Sequence, residues 1–275
     1  MTTMLVDENL CTRCGTCSVV CLRSIIGRAD ENTLPVVRHR MAGMCIRCGH
    51  CEVFCPSQAL TWSYLPDEEV SPSAGAGRIS PEDLGVYLKK RRSVRRFRQD
   101  LVPKETIEKV LDIVRYAASG GNGQPVQWVV VYDPEKVKKI AELTIEWMKA
   151  KILVDSSHPM SGYVPMLIAA WEAGRDVICH SAPHLLVAHI PEGNPVASVD
   201  AIIALTHFDV AAPAFGIGTC WAGFVAAACH EYPPLQRELS LPEGRAVAYA
   251  MMFGFPQYKV YGIPRRKPVE VTWQE

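Results

Sequence analysis

The chain has 275 residues, with 29 Lys and Arg against 29 Asp and Glu, and 48% of its residues are hydrophobic. That composition excludes a disordered or collagen-like chain, and zero net charge removes the whole-molecule field that would favour nucleic acid or an anionic membrane. The length predicts about two domains and a proper core.

No basic start followed by an apolar stretch opens the chain, so no export signal is read and the reducing cytoplasm is the expected compartment. Eight of the eleven cysteines fall within the first 55 residues. Cys11, Cys14, Cys17 and Cys21 read C-x2-C-x2-C-x3-C, and Cys45, Cys48, Cys51 and Cys55 repeat that spacing 34 residues later, ending in Pro56. The repeat extends to Leu10-Cys11-Thr12-Arg13-Cys14-Gly15 against Met44-Cys45-Ile46-Arg47-Cys48-Gly49, which points to a duplicated half-unit. Thiolates two residues apart can wrap one corner of an iron–sulfur cubane, with a fourth closing the site from a distance. Zinc favours separated C-x2-C pairs over four-thiol runs of this kind.

The run is that of bacterial ferredoxins, in which the fourth cysteine crosses to the other cluster. That pattern assigns Cys11, Cys14, Cys17 and Cys55 to one [4Fe-4S] cluster, and Cys45, Cys48, Cys51 and Cys21 to a second. Residues 1–64 therefore resemble a two-cluster bacterial ferredoxin, with Leu22 where the pattern has proline. The resemblance implies one-electron transfer, and cluster binding would supply folding free energy that so small a core lacks.

Residues 65–79, rich in Pro, Gly, Ser and acid, read as a linker before a second domain at 80–275. Ser80, Pro81, Glu82 and Asp83 supply an N-cap, a first-turn proline and early acidic charge, so a helix is expected to run to Lys90. Ile107, Val110, Leu111 and Val114 recur at helical spacing, and residues 126–132 (VQWVVVY) form a β-branched and aromatic run. A helix at 134–149, a strand at 184–190, a long helix at 196–215 and a strand at 246–253 follow. Residues 210–229 carry no charge, but Pro213, Gly216, Gly218 and Gly223 interrupt them. A buried helix, a glycine turn and a strand are expected there rather than a membrane span. The fold class is α+β: a ferredoxin-type domain followed by an α/β sandwich, a mixed sheet covered by helices.

Residues 89–98 (KKRRSVRRFR) hold seven cations in ten positions. A solvated face or a nucleic-acid patch is the bland explanation. Ser93 among arginines also suits a phosphate, because guanidinium forks bind phosphate oxygens bidentately. Arg265, Arg266 and Lys267 form a second cationic cluster after the turn-forming Gly262-Ile263-Pro264. Glycine-rich turns at residues 118–125 (ASGGNGQP) and 216–224 (GIGTCWAGF) would let backbone approach a flat ligand.

Together these four motifs resemble the FMN-dependent nitroreductase family over residues 80–275. The resemblance implies a homodimer with FMN in clefts built from both subunits. Arg91, Arg92, Ser93 and Arg95 would hold FMN from one subunit, with Arg95 toward the pyrimidine edge, and Arg265 or Arg266 with Lys267 would complete the phosphate site. Ser119, Gly120 and Asn122 would come from the partner subunit, and the Gly223 N–H would address flavin N5. Ala118, Gly120 and Ala222 depart from residues common in the family, which loosens what can be said of the substrate pocket. Cys179, Cys220 and Cys229 have no ligand spacing and read as buried packing, although under this resemblance Cys220 could lie close to FMN; the six histidines from His158 to His230 form no metal spacing. G-x-G-x-x-G, Walker and G-x-S-x-G motifs are not found.

Cubanes pass single electrons and flavin stores two, so the combination reads as a converter. Electrons would pass from the clusters to FMN and leave as hydride to a small nitroaromatic, quinone or enone. Either a ferredoxin or NAD(P)H is the expected donor, and neither nucleic acid nor a membrane is an expected partner. An electron relay between protein partners, with no small substrate of its own, is the alternative.

Overall fold

The structure is a computed structural model and describes residues 3–64, 77–155 and 157–275. Most of the expected linker, residues 65–76, lies outside the described residues. The chain divides into two compact units, Met1–Arg78 with Gly121–Gly123, and Ile79–Gly120 with Gln124–Glu275.

In the first unit, strand β1 (Met4–Val6) precedes two one-turn helices, α1 (Thr16–Val19) and α2 (His50–Val53), and strand β2 (Leu60–Trp62) returns antiparallel to β1 with Met4 opposite Trp62. The backbone repeats at the 34-residue offset of the cysteines. Arg13 and Arg47 have φ of 56° and 53°, Gly15 and Gly49 have 77° and 71°, and Ser24 and Gln58 have 50° and 52°. Gly15 and Gly49 take the left-handed conformation as N-caps of α1 and α2, a conformation that costs glycine least. The core is small: Ile25, Ile26, Leu60 and Trp62 pack with the side chains of Cys17 and Cys51.

The second unit begins with α3 (Pro81–Lys90), whose Ser80 cap accepts a hydrogen bond from the Asp83 N–H at 3.0 Å, as its sequence dictates. There follow α4 (Lys104–Val114), β3 (Gln127–Val131), α5 (Pro134–Trp147), α6 (Val164–Glu172), β4 (His184–Pro191), α7 (Pro195–Ala211), β5 (Gly218–Trp221), α8 (Gly223–Glu231), α9 (Pro233–Leu239) and β6 (Arg245–Gly254). The sheet order is β3-β4-β6-β5. All three strand pairs are antiparallel, which corrects the expected mixed sheet. Parallel pairing among the described residues is confined to the isolated bridge between Ser93 and Thr219. The physical reason is the connections: each pair of neighbouring strands is joined by helices long enough to return the chain in either sense, so periodicity alone leaves strand direction open.

Both faces of the sheet are covered. Leu185, Val187, Ala250 and Met252 pack on one side with Ile140, Trp147, Val225 and Leu235, whereas Leu186, Ala188, Met251 and Phe253 pack on the other with Val110, Ala201, Leu205 and Phe208. Burial on two faces explains why β4 and β6 read as continuous apolar runs rather than alternating ones. Helix α7 with its 3-10 extension to Phe215 is, among the described residues, the one helix long and apolar enough to cross a membrane. Ala197, Ala201, Leu205 and Phe208 nonetheless bury it in this core. The extension stops at Gly216, which has a φ of 74°.

Buried His184 ties this frame together. Its Nε2 accepts from the Val102 N–H at 3.0 Å, so its proton sits on Nδ1, which donates to the Tyr132 carbonyl at 2.9 Å. Burial holds its pKa below the ordinary value of 6.5, as it does for His189, where Arg245 also repels the charged form. An imidazole with a lowered folded pKa contributes its full stability above about pH 6.5, and loses it as the unfolded chain takes up the proton on acidification. We expect His184→Leu to lower stability by about 2 kcal/mol at pH 7.5, since the Val102 N–H loses its acceptor. The fall in melting temperature from pH 7.5 to pH 5.5 should be shallower in the variant, and equal slopes would contradict this role.

Candidate functional site

In the first unit the cysteines gather in two quartets. One cavity is lined by Cys11, Cys14, Cys17 and Cys55 with Gly15 and Pro56, and the other by Cys21, Cys45, Cys48 and Cys51 with Gly49 and Trp62. Each quartet takes three thiols from one helical turn and its approach, and a fourth from the other half. All-sulfur donor sets around two cavities suit two cubanes, which the cysteines named for each would hold.

Burial raises the Cys17 thiol above its usual range, and the neighbouring Cys55, Cys11 and Cys14 add to the rise. Burial likewise pushes Cys51 up to about 11, against the opposing hydrogen bond from Trp62. Cys14 is exposed, and the Thr16 hydroxyl 3.2 Å away lowers its pKa. Around the second cavity the Trp62 Nε1–H donates to Cys51 Sγ at 3.0 Å. Glu52 holds that tryptophan in place by accepting from the Trp62 backbone N–H at 2.7 Å and from the Tyr64 hydroxyl at 3.2 Å.

In the second unit the site is built on the β5 edge of the sheet. The segment after α3 runs parallel to β5: Ser93 pairs with Thr219, and the Val94 N–H donates to the Thr219 carbonyl at 2.8 Å. Gly218 permits this approach, because a Cβ there would lie 2.6 Å from Val94 Cγ2. The direction of the pairing carries Arg95 toward the end of β5, where α8 starts at Gly223. Buried Asp209 on α7 organises the other side. It accepts from the Thr219 hydroxyl, accepts from Trp221 Nε1 at 3.2 Å and faces Arg91 Nη1 at 3.5 Å. Arg92 turns back to the carbonyls of Lys89 and Lys90.

Cys220 is buried beneath Ser93. Desolvation raises its thiol, while Arg95, the Ser93 hydroxyl and Arg91 act in the opposite sense. A half-buried hydroxyl and an exposed arginine thus follow β5, and α8 begins two residues after that strand with its positive end, a donor set that suits an anionic cofactor. Gly223 has Tyr249 Oη 3.1 Å from where its Cβ would stand, so a side chain would crowd that turn.

The remaining expected residues lie elsewhere in the protomer. Ser119 Oγ accepts from the Gln124 N–H at 3.0 Å, and the Gly120 N–H donates to buried Asp200 Oδ1 at 2.9 Å. A Cβ on Gly120 would come within 2.5 Å of Val196 Cγ1, which accounts for glycine at this departure from the family pattern. Gly121 and Asn122 have φ of 57° and 56°. Arg265, Arg266 and Lys267 lie on an exposed C-terminal segment outside any helix or strand. Trp62, Glu52 and Asp209 were not marked by motif. For Asp209 a signal was present, since an acid in an otherwise apolar helix must find partners if buried.

Residues 88–255 match the model of the Nitroreductase family, and residues 10–60 match that of a 4Fe-4S dicluster domain. The FMN reductase [NAD(P)H] of Bacillus subtilis (strain 168) is 29% identical over 188 residues, which are 67% of this chain and 70% of that protein. A nitroreductase with bound FMN from Desulfitobacterium hafniense DCB-2 has a similar fold, with a TM-score of 0.57 and 20% identity, covering 72% of this chain and all of the other. One from Bacteroides fragilis NCTC 9343, also with bound FMN, gives 0.54 and 21% over 71% of this chain and all of the other.

Removing the Asp209 carboxylate leaves the Thr219 hydroxyl and the Trp221 N–H without their acceptor. We expect Asp209→Ala to cost about 2–4 kcal/mol in chemical denaturation of the second unit. A change below about 0.5 kcal/mol would contradict its organising role.

Proposed function

Because this chain belongs to the nitroreductase family and carries a 4Fe-4S dicluster domain, we propose that it is an oxidoreductase linking two [4Fe-4S] clusters to FMN and a small electrophile of the nitroaromatic, quinone or enone type. The observation that carries this reading is the presence, on one chain, of two cysteine-lined cavities and an anion-suited strand end. When bound, the clusters would supply electrons singly and FMN would deliver them in pairs as hydride from N5.

The protein's own residues have these roles. Cys11, Cys14, Cys17 and Cys55 ligate one cluster, and Cys21, Cys45, Cys48 and Cys51 the other. Arg91, Arg92, Ser93 and Arg95 hold FMN, with Arg95 placing positive charge where the reduced ring collects negative charge. The Gly223 N–H, at the start of α8, addresses N5. Ser119, Gly120 and Asn122 reach the flavin from the partner subunit of a homodimer, and Arg265, Arg266 and Lys267 complete the phosphate site. Support for the dimer comes from apolar surface that one protomer leaves exposed: Val196, Val199 and Ile202 on α7, and Tyr261, Val269 and Trp273 on the C-terminal segment. The domain limits in this reading are 1–64 and 80–275 with a linker at 65–79, and the compartment is the reducing cytoplasm. The electron donor is a ferredoxin acting through the clusters; hydride from NAD(P)H directly to FMN is the competing route.

Anaerobic stopped-flow distinguishes these routes. In a Cys48→Ser variant that has lost half its iron but kept its flavin, FMN reduction by reduced ferredoxin should slow by about tenfold or more. An unchanged rate would contradict entry through the clusters. Turnover of nitroarenes, quinones or enones supports the enzyme, and its absence across the panel would favour a relay between proteins.

A further inference from the structure

The two cysteine quartets are related by the 34-residue repeat, but their surroundings are not. Cys51 in the second quartet is the counterpart of Cys17 in the first. Beside Cys17, the Ser18 backbone N–H donates to the Gly15 carbonyl at 3.1 Å. Cys51 Sγ receives an indole N–H from Trp62 at 3.0 Å, and both residues are buried, Trp62 at 6% and Cys51 at 9% exposure. The residue 34 positions before Trp62 is Arg28. Its side chain lies along Gly15, with Nε 3.5 Å from where a Cβ on that glycine would stand. The duplicated fold therefore offers the same place twice and fills it with an indole donor in one half only.

We propose that Trp62 sets the reduction potential of the cluster held by Cys21, Cys45, Cys48 and Cys51, and of that cluster alone. Adding one electron from a low-potential one-electron donor raises the negative charge shared by the cluster and its thiolates. A fixed N–H dipole aimed at a thiolate stabilises that extra charge, more strongly where water is excluded. The indole keeps its proton throughout and no bond to it breaks, so the balance is one electron in and nothing else exchanged. The donor is held rigidly from both sides. The Trp62 backbone N–H is bound to the Glu52 carboxylate at 2.7 Å, immediately after Cys51, and Trp62 pairs with Met4 across the β1–β2 ladder. The effect is to make two clusters of near-identical ligation unequal, which gives electrons a preferred order of occupancy.

The inference rests on the reading that this unit holds two clusters, and the test separates the two. The full-length protein, with iron and sulfide quantified, is titrated anaerobically against potential with the reduced clusters followed by electron paramagnetic resonance. Trp62→Phe keeps an aromatic ring in the core and removes the N–H. The expected result is that one of the two midpoint potentials falls by about 59 mV, a tenfold shift in a one-electron equilibrium, while the other stays. Two unshifted potentials with full iron content would overturn the role of Trp62 and leave the functional reading intact. Wild-type protein free of iron and sulfide would overturn the functional reading, and this role with it. A second measurement needs no variant: pulsed resonance on wild-type protein with isotopically labelled indole nitrogen should show coupling of one such nitrogen to a reduced cluster. Absence of that coupling would overturn the proposal even if Trp62→Phe failed to assemble.

Discussion

The gathering of eight thiols around two cavities is the constraint on which the first unit depends. Among the described residues, and apart from cysteine, its buried cluster consists of Ile25, Ile26, Leu60 and Trp62, with partly buried neighbours around them. Burial opposes the ionised form of Cys17 and Cys51, and neighbouring thiols add to that cost, so four thiolates around one cavity are unfavourable without a cation to bind. Iron bound there would replace the protons and turn the same arrangement into a cross-link. Because each cavity draws one cysteine from the opposite half, the two links would join what are otherwise two short and weakly cored segments.

The second unit solves a different problem by ordinary means. Its sheet is buried on both faces, and α7 supplies the frame on one of them. Two buried acids on that helix reach the loops that matter: Asp200 binds the Gly120 N–H, and Asp209 binds β5 and faces Arg91. Carboxylates in an apolar helix are costly unless hydrogen-bonded, and both are. The outcome is a strand end at which Ser93, Arg95 and the first turn of α8 are presented by rigid elements rather than by loops alone.

Much of this was legible because the chemistry is encoded locally. The cap at Ser80, the β-branched run of β3 and the long apolar stretch of α7 each declare themselves within a few residues, and the quartets that line the two cavities are the crossed sets that the ferredoxin resemblance implies, not the two runs that spacing alone sets apart. Helices α6 and α8 were not legible. Val164–Glu172 is apolar almost throughout, and Gly223–Glu231 is an alanine-rich turn-to-helix segment, so neither shows the one-sided pattern that marks an amphipathic helix. Strand direction was likewise hidden. Trp62 on Cys51 and Asp209 beneath β5 are contacts across 11 and 10 residues that no spacing rule announces.

The most direct test is the cofactor content of protein purified without oxygen, measured as iron, acid-labile sulfide and flavin per chain. About eight iron, eight sulfide and one FMN are expected, with the brown and yellow absorbance of both chromophores. Colourless protein that contains zinc or no metal, and that takes up neither clusters nor FMN on reconstitution, would contradict the account.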